Sequence, residues 1–468
     1  MSGDVADGVV RGRLPDDTLV VLLSDVHLGG AAGSDIFESA AELTGLLEDL
    51  QHHRGPLELV LAGDFLDLLR IRDGDEDAVA ATLARPDYQR LFAALRALAG
   101  APGRRVVYLV GNHDAEVWWN PQVRQALVGA GLVDVVGLSY AASFASLPDR
   151  LVYCEHGNQF DPANAIVDYA NPLDSPVGAH VLTEMIRPIA SGATTTRGID
   201  LREVGHVFPL AAHPGPAEWI AGRIFYQFLG QLLRWLLVFL ACLVGAYLAY
   251  AGLTVALGRA AGGPRVLRSV LLEATYSLTV LVFALVVVFL ISRRTARDAV
   301  TTLAARFSWL APETERDREA LAIRRLLADG RPPPMAGDGS HLDIAVFVSG
   351  HTHAPGLSAL DRADGRTTVI ANTGCWLRQP QPVPAWLGAP PVFVPAFVHS
   401  HVRVRSGPEG LTVELWDQPR PAEPRLPWIE RAAVAGRMPP QPPATSGPRL
   451  VARQVVSSRA VPRERGPR

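Results

Sequence analysis

The chain has 468 residues, of which 48% are hydrophobic and only 19% are charged, and its mean hydropathy is +0.15. It exceeds one typical domain and is apolar for a soluble enzyme, so we expect a catalytic domain with apolar additions. The formal net charge of −3 argues against a chain-wide basic surface for nucleic acid, although it is compatible with a local basic patch.

The cysteines and the amino terminus indicate where the chain works. Cys154, Cys242 and Cys375 are an odd number without metal-site spacing, so we expect no disulfide framework and a reducing compartment. Residues 1–17 contain no apolar segment after a basic one, so they do not resemble a secretory signal, and we expect them to be disordered. The first domain is therefore predicted to begin in the cytoplasm.

From Thr18 the chain alternates short apolar runs with amphipathic segments, which indicates an α/β domain with helices covering its sheets. Residues 18–160 are predicted to form the first part of this domain. The predicted helices are Ile36–Arg54 and Tyr88–Leu98, and the predicted strands are TLVVLLSD, LELVLAGD, RRVVYLVGNHD and RLVYCEHG.

An apolar insertion is predicted next. Residues 161–230 read as irregular and weakly helical, and two apolar runs follow, Leu232–Leu257 and Val270–Ile291. Each run can cross a hydrocarbon core of about 30 Å, which takes about 20 helical residues, so we expect a transmembrane helical hairpin over 231–293. The alternative is a pair of buried core helices, which are rarely so uniformly apolar. Arginines flank both ends of the predicted hairpin and therefore do not settle its orientation. Only the lack of a secretory signal favours placing both flanking segments in the cytoplasm.

The strand pattern of the catalytic domain resumes after the hairpin and a connecting segment. Residues 294–340 are predicted to contain a charged surface helix, Glu313–Gly330, followed by a Pro-rich linker. The runs LDIAVFVSGHTH, TTVIANTG, HVRVR and LTVELWD predict strands of a second catalytic part, 341–417. The tail, 418–468, is rich in Pro and Arg with few apolar clusters, so we expect it to be disordered.

Five short segments place metal-binding side chains at the ends of predicted strands. Each has Gly in or beside it, which permits a tight turn. Each segment alone is a weak signal, because aspartates beside turns and single surface histidines are common, but packing does not explain all five together. Mixed carboxylate, imidazole and amide ligands suit divalent transition metals. The segments are SDVHLGG (Asp25, His27), GDFLD (Asp64, Asp67), GNHD (Asn112, His113, Asp114), EHG (His156) and GHTH (His351, His353).

This motif order resembles the calcineurin-like metallophosphoesterase superfamily over about Leu19–Asp161 and Asp343–Trp416. The resemblance implies a two-sheet sandwich flanked by helices, here interrupted by the insertion with its transmembrane hairpin. It also implies two divalent metal ions, with Mn²⁺ expected and iron or zinc as alternatives. The first ion would be held by Asp25, His27, Asp64 and His353, and the second by Asp64, Asn112, His156 and His351.

The resemblance implies roles for three groups that do not bind metal. His113 would stabilise the transition state or protonate the leaving oxygen, and Asp114 would accept a hydrogen bond from His113 and fix its tautomer. Asp67 has two interpretations: it supports a ligand through a hydrogen bond, or it caps the following helix.

Other aromatic and histidine side chains outside the five segments have structural interpretations. Trp118 and Trp119 either line a substrate pocket or pack in the core. The histidines interpreted as structural or solvated are His52, His53, His180, His206, His213, His399 and His401.

The segments SDVHLGG, GDFLDLL, EHGNQFD and ANTGCW are similar to the UDP-2,3-diacylglucosamine pyrophosphatase group, which cleaves a lipid-linked pyrophosphate at the membrane surface. His113, where that group typically has Arg, and the long insertion depart from its pattern. We expect a membrane-anchored, dinuclear phosphodiesterase or pyrophosphatase at the cytoplasmic face, with an amphiphilic phosphoester substrate and no nucleic-acid partner. The alternative is a membrane-tethered nucleotide sensor or scaffold with little turnover.

Overall fold

The computed structural model describes residues 5–29, 35–71, 78–186, 216–256, 263–306, 315–337, 343–424, 426–443 and 447–457. Within these ranges the strands form two mixed sheets. The strands are β1 Val5–Ala6, β2 Val9–Leu14, β3 Leu19–Leu23, β4 Leu57–Ala62, β5 Arg104–Leu109, β6 Val135–Gly137, β7 Ser139–Phe144, β8 Leu147–Glu155, β9 Ile344–Ser349, β10 Gly356–Asp361, β11 Thr367–Asn372, β12 Trp376–Val383, β13 Val392–Gly407, β14 Gly410–Asp417 and β15 Arg449–Ser457.

The helices cover the outer faces of the two sheets or extend away from them. Short 3₁₀ turns lie at Pro86–Tyr88, Asn158–Phe160 and Trp386–Gly388, and a π turn lies at Val181–Ile186. The α-helices are α1 Ala40–Gln51, α2 Leu68–Ile71, α3 Ala78–Leu83, α4 Gln89–Ala99, α5 Glu116–Trp119, α6 Pro121–Gly129, α7 Val177–His180, α8 Pro216–Ala256, α9 Gly263–Arg306, α10 Glu315–Ala328 and α11 Trp428–Ala433.

The first sheet has the order β1-β2-β7-β8-β9-β11-β10, and the second has the order β15-β14-β13-β3-β4-β5-β6 with β12 paired to β13. In the second sheet β3, β4, β5 and β6 run parallel, and in the first sheet β8 runs parallel to β9 and β9 to β11. Parallel neighbours end at the same edge, so the loops after β3, β4, β5, β8 and β9 can converge.

Three buried layers explain why these strands are so apolar. The inward faces of both sheets meet in one core cluster that includes Val20, Val60 and Val348. A second cluster lies between the second sheet and helices such as α1 and α4, and a third lies between the first sheet and α10. Strands buried on both faces read as continuous apolar runs, which is why the sequence shows them clearly. The predicted two-sheet α/β sandwich with flanking helices is confirmed.

Two helices of the insertion contain stretches long and apolar enough to cross a membrane, Glu218–Tyr250 in α8 and Leu271–Thr295 in α9. The most apolar window of each stretch contains no buried residue. The two helices contact each other, and they are candidates for the predicted hairpin. Helix α8 begins at Pro216, earlier than the predicted apolar run, because its first turns pack on the catalytic domain through Trp219, Phe225 and Tyr226.

The prediction of disordered termini is wrong where the structure describes them. Strand β2 lies within residues 1–17 and pairs in parallel with β7, with Val9 and Val10 fully buried. Strand β15 and helix α11 lie within the predicted disordered tail, and β15 pairs with β14. Both strands extend existing sheets, so their stability depends on partners far away in sequence rather than on local apolar clusters.

The segment predicted as a charged surface helix is confirmed as helix α10, but one face of it is buried. Ile323 and Leu327 pack against the first sheet, and Glu319 is only 3% exposed. The predicted insertion is described as turns and short helices up to residue 186, and residues 187–215, which include His206 and His213, lie outside the described residues. The three cysteines are free, as expected.

Candidate metal centre

The structure brings the five motif loops together at one edge of the sandwich. The second sheet supplies the loops after β3, β4 and β5, and the first sheet supplies those after β8 and β9. The side chains that were predicted to bind metal are all buried in the space where these loops meet: Asp25, His27, Asp64, Asn112, His156, His351 and His353.

One group that could hold a metal ion consists of Asp25, His27 and His353. The Nε2 atom of His353 lies 3.1 Å from Oδ1 of Asp25 and 3.2 Å from Nε2 of His27. Three donor atoms from β3 and β9 loops therefore point at one small volume, as cation ligands do.

A second such group consists of Asp64, His156 and His351. The Oδ2 atom of Asp64 lies 3.1 Å from Nε2 of His156 and 3.9 Å from Nε2 of His27 in the first group. Asp64, a member of the second group, thus also lies near the first. Burial would raise the pKa of Asp64, but the charges of His156 and His113 outweigh burial and hold it well below its usual range, so the carboxylate is ionised.

The surroundings of the Asn112 side chain indicate whether this site fits a cation. The side chain is only 4% exposed, and its Oδ1 atom has no hydrogen-bond partner among the described residues. A buried amide oxygen without a donor is costly, and a divalent cation beside Asp64 would satisfy it. The donor set of carboxylates, imidazoles and one amide therefore fits two divalent metals.

The loops hold these side chains in an unusual backbone conformation. Five non-glycine residues of the two groups have a positive φ, between 52° and 63°. This region is disfavoured for residues with a Cβ atom and costs on the order of 1–3 kcal/mol each, so the surrounding fold must impose it. The residues are Asp25, His27, Asp64, His351 and His353.

Glycine is required beside them for close approach. A Cβ atom on Gly111 would collide with Oδ1 of Asp64, and one on Gly350 would collide with Oδ2 of Asp25 and Oγ of Ser24. The glycines of GNHD and GHTH therefore allow their loops to approach the carboxylates of Asp64 and Asp25 closely. Neither contact depends on a positive φ at these two glycines.

Residues 18–182 match the family model for calcineurin-like phosphoesterases. This matched range contains every predicted site residue up to His156, whereas His351 and His353 lie beyond it. The match supports the metallophosphoesterase superfamily and, in general, a metal-dependent phosphoesterase. A comparison with curated proteins gave no match.

The structure positions His113 differently from the prediction. The Nδ1 atom of His113 lies 3.0 Å from Oδ1 of Asp67, whereas Asp114 accepts hydrogen bonds from the Tyr108 hydroxyl and from the amides of Phe65 and Gly111. The predicted contact between His113 and Asp114 is therefore wrong. The reason is that the Asp114 carboxylate accepts hydrogen bonds from the amide of Gly111 in its own loop and from the amide of Phe65 in the loop after β4.

Asp67 is fully buried and contacts several side chains of the site. Its Oδ2 atom lies 2.8 Å from Nε of Arg70 and 3.4 Å from Nδ1 of His27. Burial alone would raise the pKa of Asp67, but the charges of His113 and Arg70 hold it far below its usual range. Burial lowers the pKa of His113, and the charges of Asp67 and Asp64 outweigh it and raise the value. These contacts favour support of a ligand over helix capping.

Three site residues were missed in the sequence. Arg70 follows Asp67 by one helical turn, and Asp161 Oδ2 lies 3.1 Å from His351 Nε2. Glu319 of α10 lies beneath the same loops, with Oε1 3.4 Å from Oγ of Ser349. Arg70 and Asp161 belong to the segments GDFLDLLR and EHGNQFD, so proximity to a motif was the available signal. Glu319 gave none, because it is one of several charged residues in its helix and lies in no motif.

His399 and His401, which were interpreted as structural or solvated, have hydrogen-bond partners outside the two groups. His399 contacts Oγ of Ser39 through Nε2 at 2.7 Å, and His401 accepts a hydrogen bond from Nε of Arg403 at 2.9 Å. Both histidines are fully buried. Trp118 packs against the helix-covered core, which favours the packing interpretation for that residue.

Proposed function

We propose that this chain is a membrane-anchored, dinuclear metal phosphoesterase that hydrolyses a phosphodiester or pyrophosphate bond of an amphiphilic substrate such as a lipid-linked nucleotide. The observation that carries the proposal is the position of Asp64, which lies within reach of both three-residue groups. A single carboxylate between two imidazole-rich groups is the arrangement that a pair of metals about 3.5–4 Å apart requires.

The proposed ligands divide between two ions. Asp25, His27 and His353 hold the first, His156, His351 and Asn112 hold the second, and Asp64 bridges them. Divalent cations, with Mn²⁺ proposed, would supply charge neutralisation of the phosphate oxygens and a lowered pKa for bound water. The mixture of nitrogen and oxygen donors supports a transition metal over magnesium or calcium alone.

His113 is proposed to act on the leaving group. Asp67 engages its Nδ1 atom, so Nε2 is the ring nitrogen that can donate a proton to the leaving oxygen. The His113 side chain is 14% exposed while Asp67 is fully buried, which supports a role at the substrate face for the histidine and a supporting role for the carboxylate. Asp114 is proposed to hold the GNHD loop rather than the tautomer of His113.

The membrane placement is supported by the surfaces of α8 and α9. Trp235, Tyr276 and Phe283 are each about 70% exposed, which would be costly for a helix pair in water but suits contact with lipid. The first turn of α8 also packs near α2, which follows Asp67, since Trp219 shares a cluster with Phe393 and with Leu69 of α2. The hairpin would therefore begin next to the site.

Two observations support an amphiphilic substrate. An apolar cavity of about 280 Å³ lies between the bases of α8 and α9, lined by residues such as Phe225, Phe228 and Ile291. The segments GDFLDLL and EHGNQFD are similar to the UDP-2,3-diacylglucosamine pyrophosphatase group, whose substrate is lipid-linked. A catalytic domain held at the bilayer would meet such a substrate at a raised effective concentration.

The test is Mn²⁺-dependent hydrolysis of a UDP-linked diacylated sugar and of a soluble aryl phosphodiester by detergent-purified protein. Asn112→Ala should abolish turnover, and Asn171→Ala, which changes an exposed asparagine outside the centre, should leave it unchanged. Cleavage of the lipid nucleotide supports the whole proposal, and cleavage of the soluble diester alone supports the enzyme class with another substrate. Metal binding without turnover of either would favour the alternative, a nucleotide-sensing or scaffold protein.

A further inference from the structure

The loop between β12 and β13 exposes large apolar side chains beside the hairpin. Trp386 is 52% exposed and Leu387 is 76% exposed, and Leu387 has a positive φ of 57°. Contiguous exposed apolar side chains mark interaction sites. We call the adjacent residues Trp386 and Leu387 the apolar edge.

The apolar edge is fixed to the base of the hairpin. The backbone oxygen of Leu387 accepts a hydrogen bond of 2.7 Å from Nη1 of Arg293. Arg293 lies at the end of the apolar stretch Leu271–Thr295 of α9. The loop therefore lies at the level where this helix changes from apolar to charged, which is where a bilayer surface would be.

Several contacts hold the loop between β12 and β13 in place. Trp386 donates from Nε1 to the backbone oxygen of Ala435 at 3.0 Å, and the Arg437 guanidinium lies 3.9 Å from the Trp386 ring. Arg437 also donates to the backbone oxygen of Ala385 at 3.1 Å. Beneath these contacts, buried side chains of β12, β13 and α11 form one cluster with Phe225 of α8 and Phe289 of α9. The surrounding fold thus holds the edge in an exposed position.

The charges beside the apolar edge suit an anionic membrane surface. Arg294 and Arg437 are exposed, and Arg293 is half-buried against the loop. Tryptophan rings with neighbouring arginines are the composition found at membrane–water interfaces, where the ring enters the headgroup region and the cation remains near phosphate.

We infer that the apolar edge is a second membrane contact, inserted into the headgroup region of the bilayer that the hairpin crosses. This inference rests on the proposed function. Two anchors, the hairpin and the edge, would fix the rotation and tilt of the catalytic domain relative to the bilayer. With the hairpin alone, only the packing of the hairpin against the domain would determine them. The edge would hold Phe393 and the adjacent cluster with Leu69 facing the membrane side of the metal centre.

The experiment measures the depth of single fluorescent labels in full-length protein reconstituted into vesicles of phosphatidylcholine and phosphatidylglycerol. In a Cys242→Ala background only the buried Cys154 and Cys375 remain. Three positions are then labelled through Leu387→Cys, Leu248→Cys on α8, and Leu173→Cys, which lies outside both the hairpin and the edge; the native side chains are 76%, 62% and 88% exposed. Brominated phosphatidylcholine quenches only labels that contact lipid, and iodide reports access from water.

We expect bromolipid quenching at Leu387→Cys and Leu248→Cys to be several-fold above that at Leu173→Cys. Quenching at Leu248→Cys with none at Leu387→Cys would overturn the second contact and leave the hairpin in the bilayer. Protection from iodide at Leu387→Cys without bromolipid quenching would also overturn it, in favour of a protein partner. Absence of quenching at Leu248→Cys would instead contradict the proposed membrane anchoring itself.

Discussion

His113 and Asp67 are joined by a hydrogen bond of 3.0 Å between Nδ1 and Oδ1, and the same carboxylate contacts Arg70 and His27. One buried anion therefore orients the proposed proton donor and the proposed metal ligand together. Partners of this kind typically affect affinity or activity by about 10–100-fold when removed.

Asp67→Asn should lower kcat by about 10–100-fold and shift the alkaline limb of the pH profile to lower pH. The sign follows from the charges: Asp67 raises the pKa of His113, so its loss lowers that pKa, and protonated His113 is depleted earlier as pH rises. Steady-state rates across pH measure this, with exposed Asp149→Asn as the control. An unchanged alkaline limb would show that His113 is not the acid.

Asp161→Asn should weaken binding at the second metal by about 10–100-fold, because the native carboxylate engages Nε2 of His351 and orients the ring. Isothermal titration with Mn²⁺ would resolve the two sites. Asn164→Ala is the matched control, since Asn164 contacts the same carboxylate but not His351. Equal losses in the two variants would assign the effect to the loop rather than to the His351 contact.

Gly111→Ala should reduce activity by about 100-fold, since displacing a catalytic carboxylate by about 1 Å has this effect. The added Cβ atom would collide with Oδ1 and the backbone nitrogen of Asp64. Gly129→Ala is the control, because Gly129 lies in α6 with open space around it, and alanine there should be neutral or stabilising by about 0.5–1 kcal/mol. Comparable activity in both variants would contradict the close packing of the GNHD loop on Asp64.

Acidification should destabilise the fold through His401, whose pKa is lowered to about 3 by burial and by the charge of Arg403. The unfolded chain binds this proton at a higher pH than the folded chain, so stability is complete above the unfolded pKa of 6.5 and falls below it. The loss is about 1.4 kcal/mol per pH unit. Unfolding temperatures at pH 7 and 5 should converge in His401→Gln, whereas the exposed His180→Gln should behave like the unaltered chain.

The positions of the candidate ligands at strand ends could be predicted because each follows an apolar run that local composition reveals. Asp25, Asn112 and His353 needed only their own segments. The partner of His113 could not be predicted, because the motifs offer two carboxylates, Asp67 and Asp114. Asp114 instead accepts hydrogen bonds from backbone amides, which the sequence does not reveal. Strands β2 and β15 were missed for a related reason, since their partners β7 and β14 are not visible in their own sequences.

The insertion is a crossover between two adjacent parallel strands. Strand β8, which precedes His156, lies beside β9, which precedes His351, and α8, α9 and α10 all lie between them in the chain. Both apolar helices are therefore synthesised before His351 and His353, the last two proposed metal ligands. The nascent chain would meet the insertion machinery as an incomplete catalyst, and closure of the sandwich would follow emergence of the hairpin, so delivery to its destination precedes the first turnover.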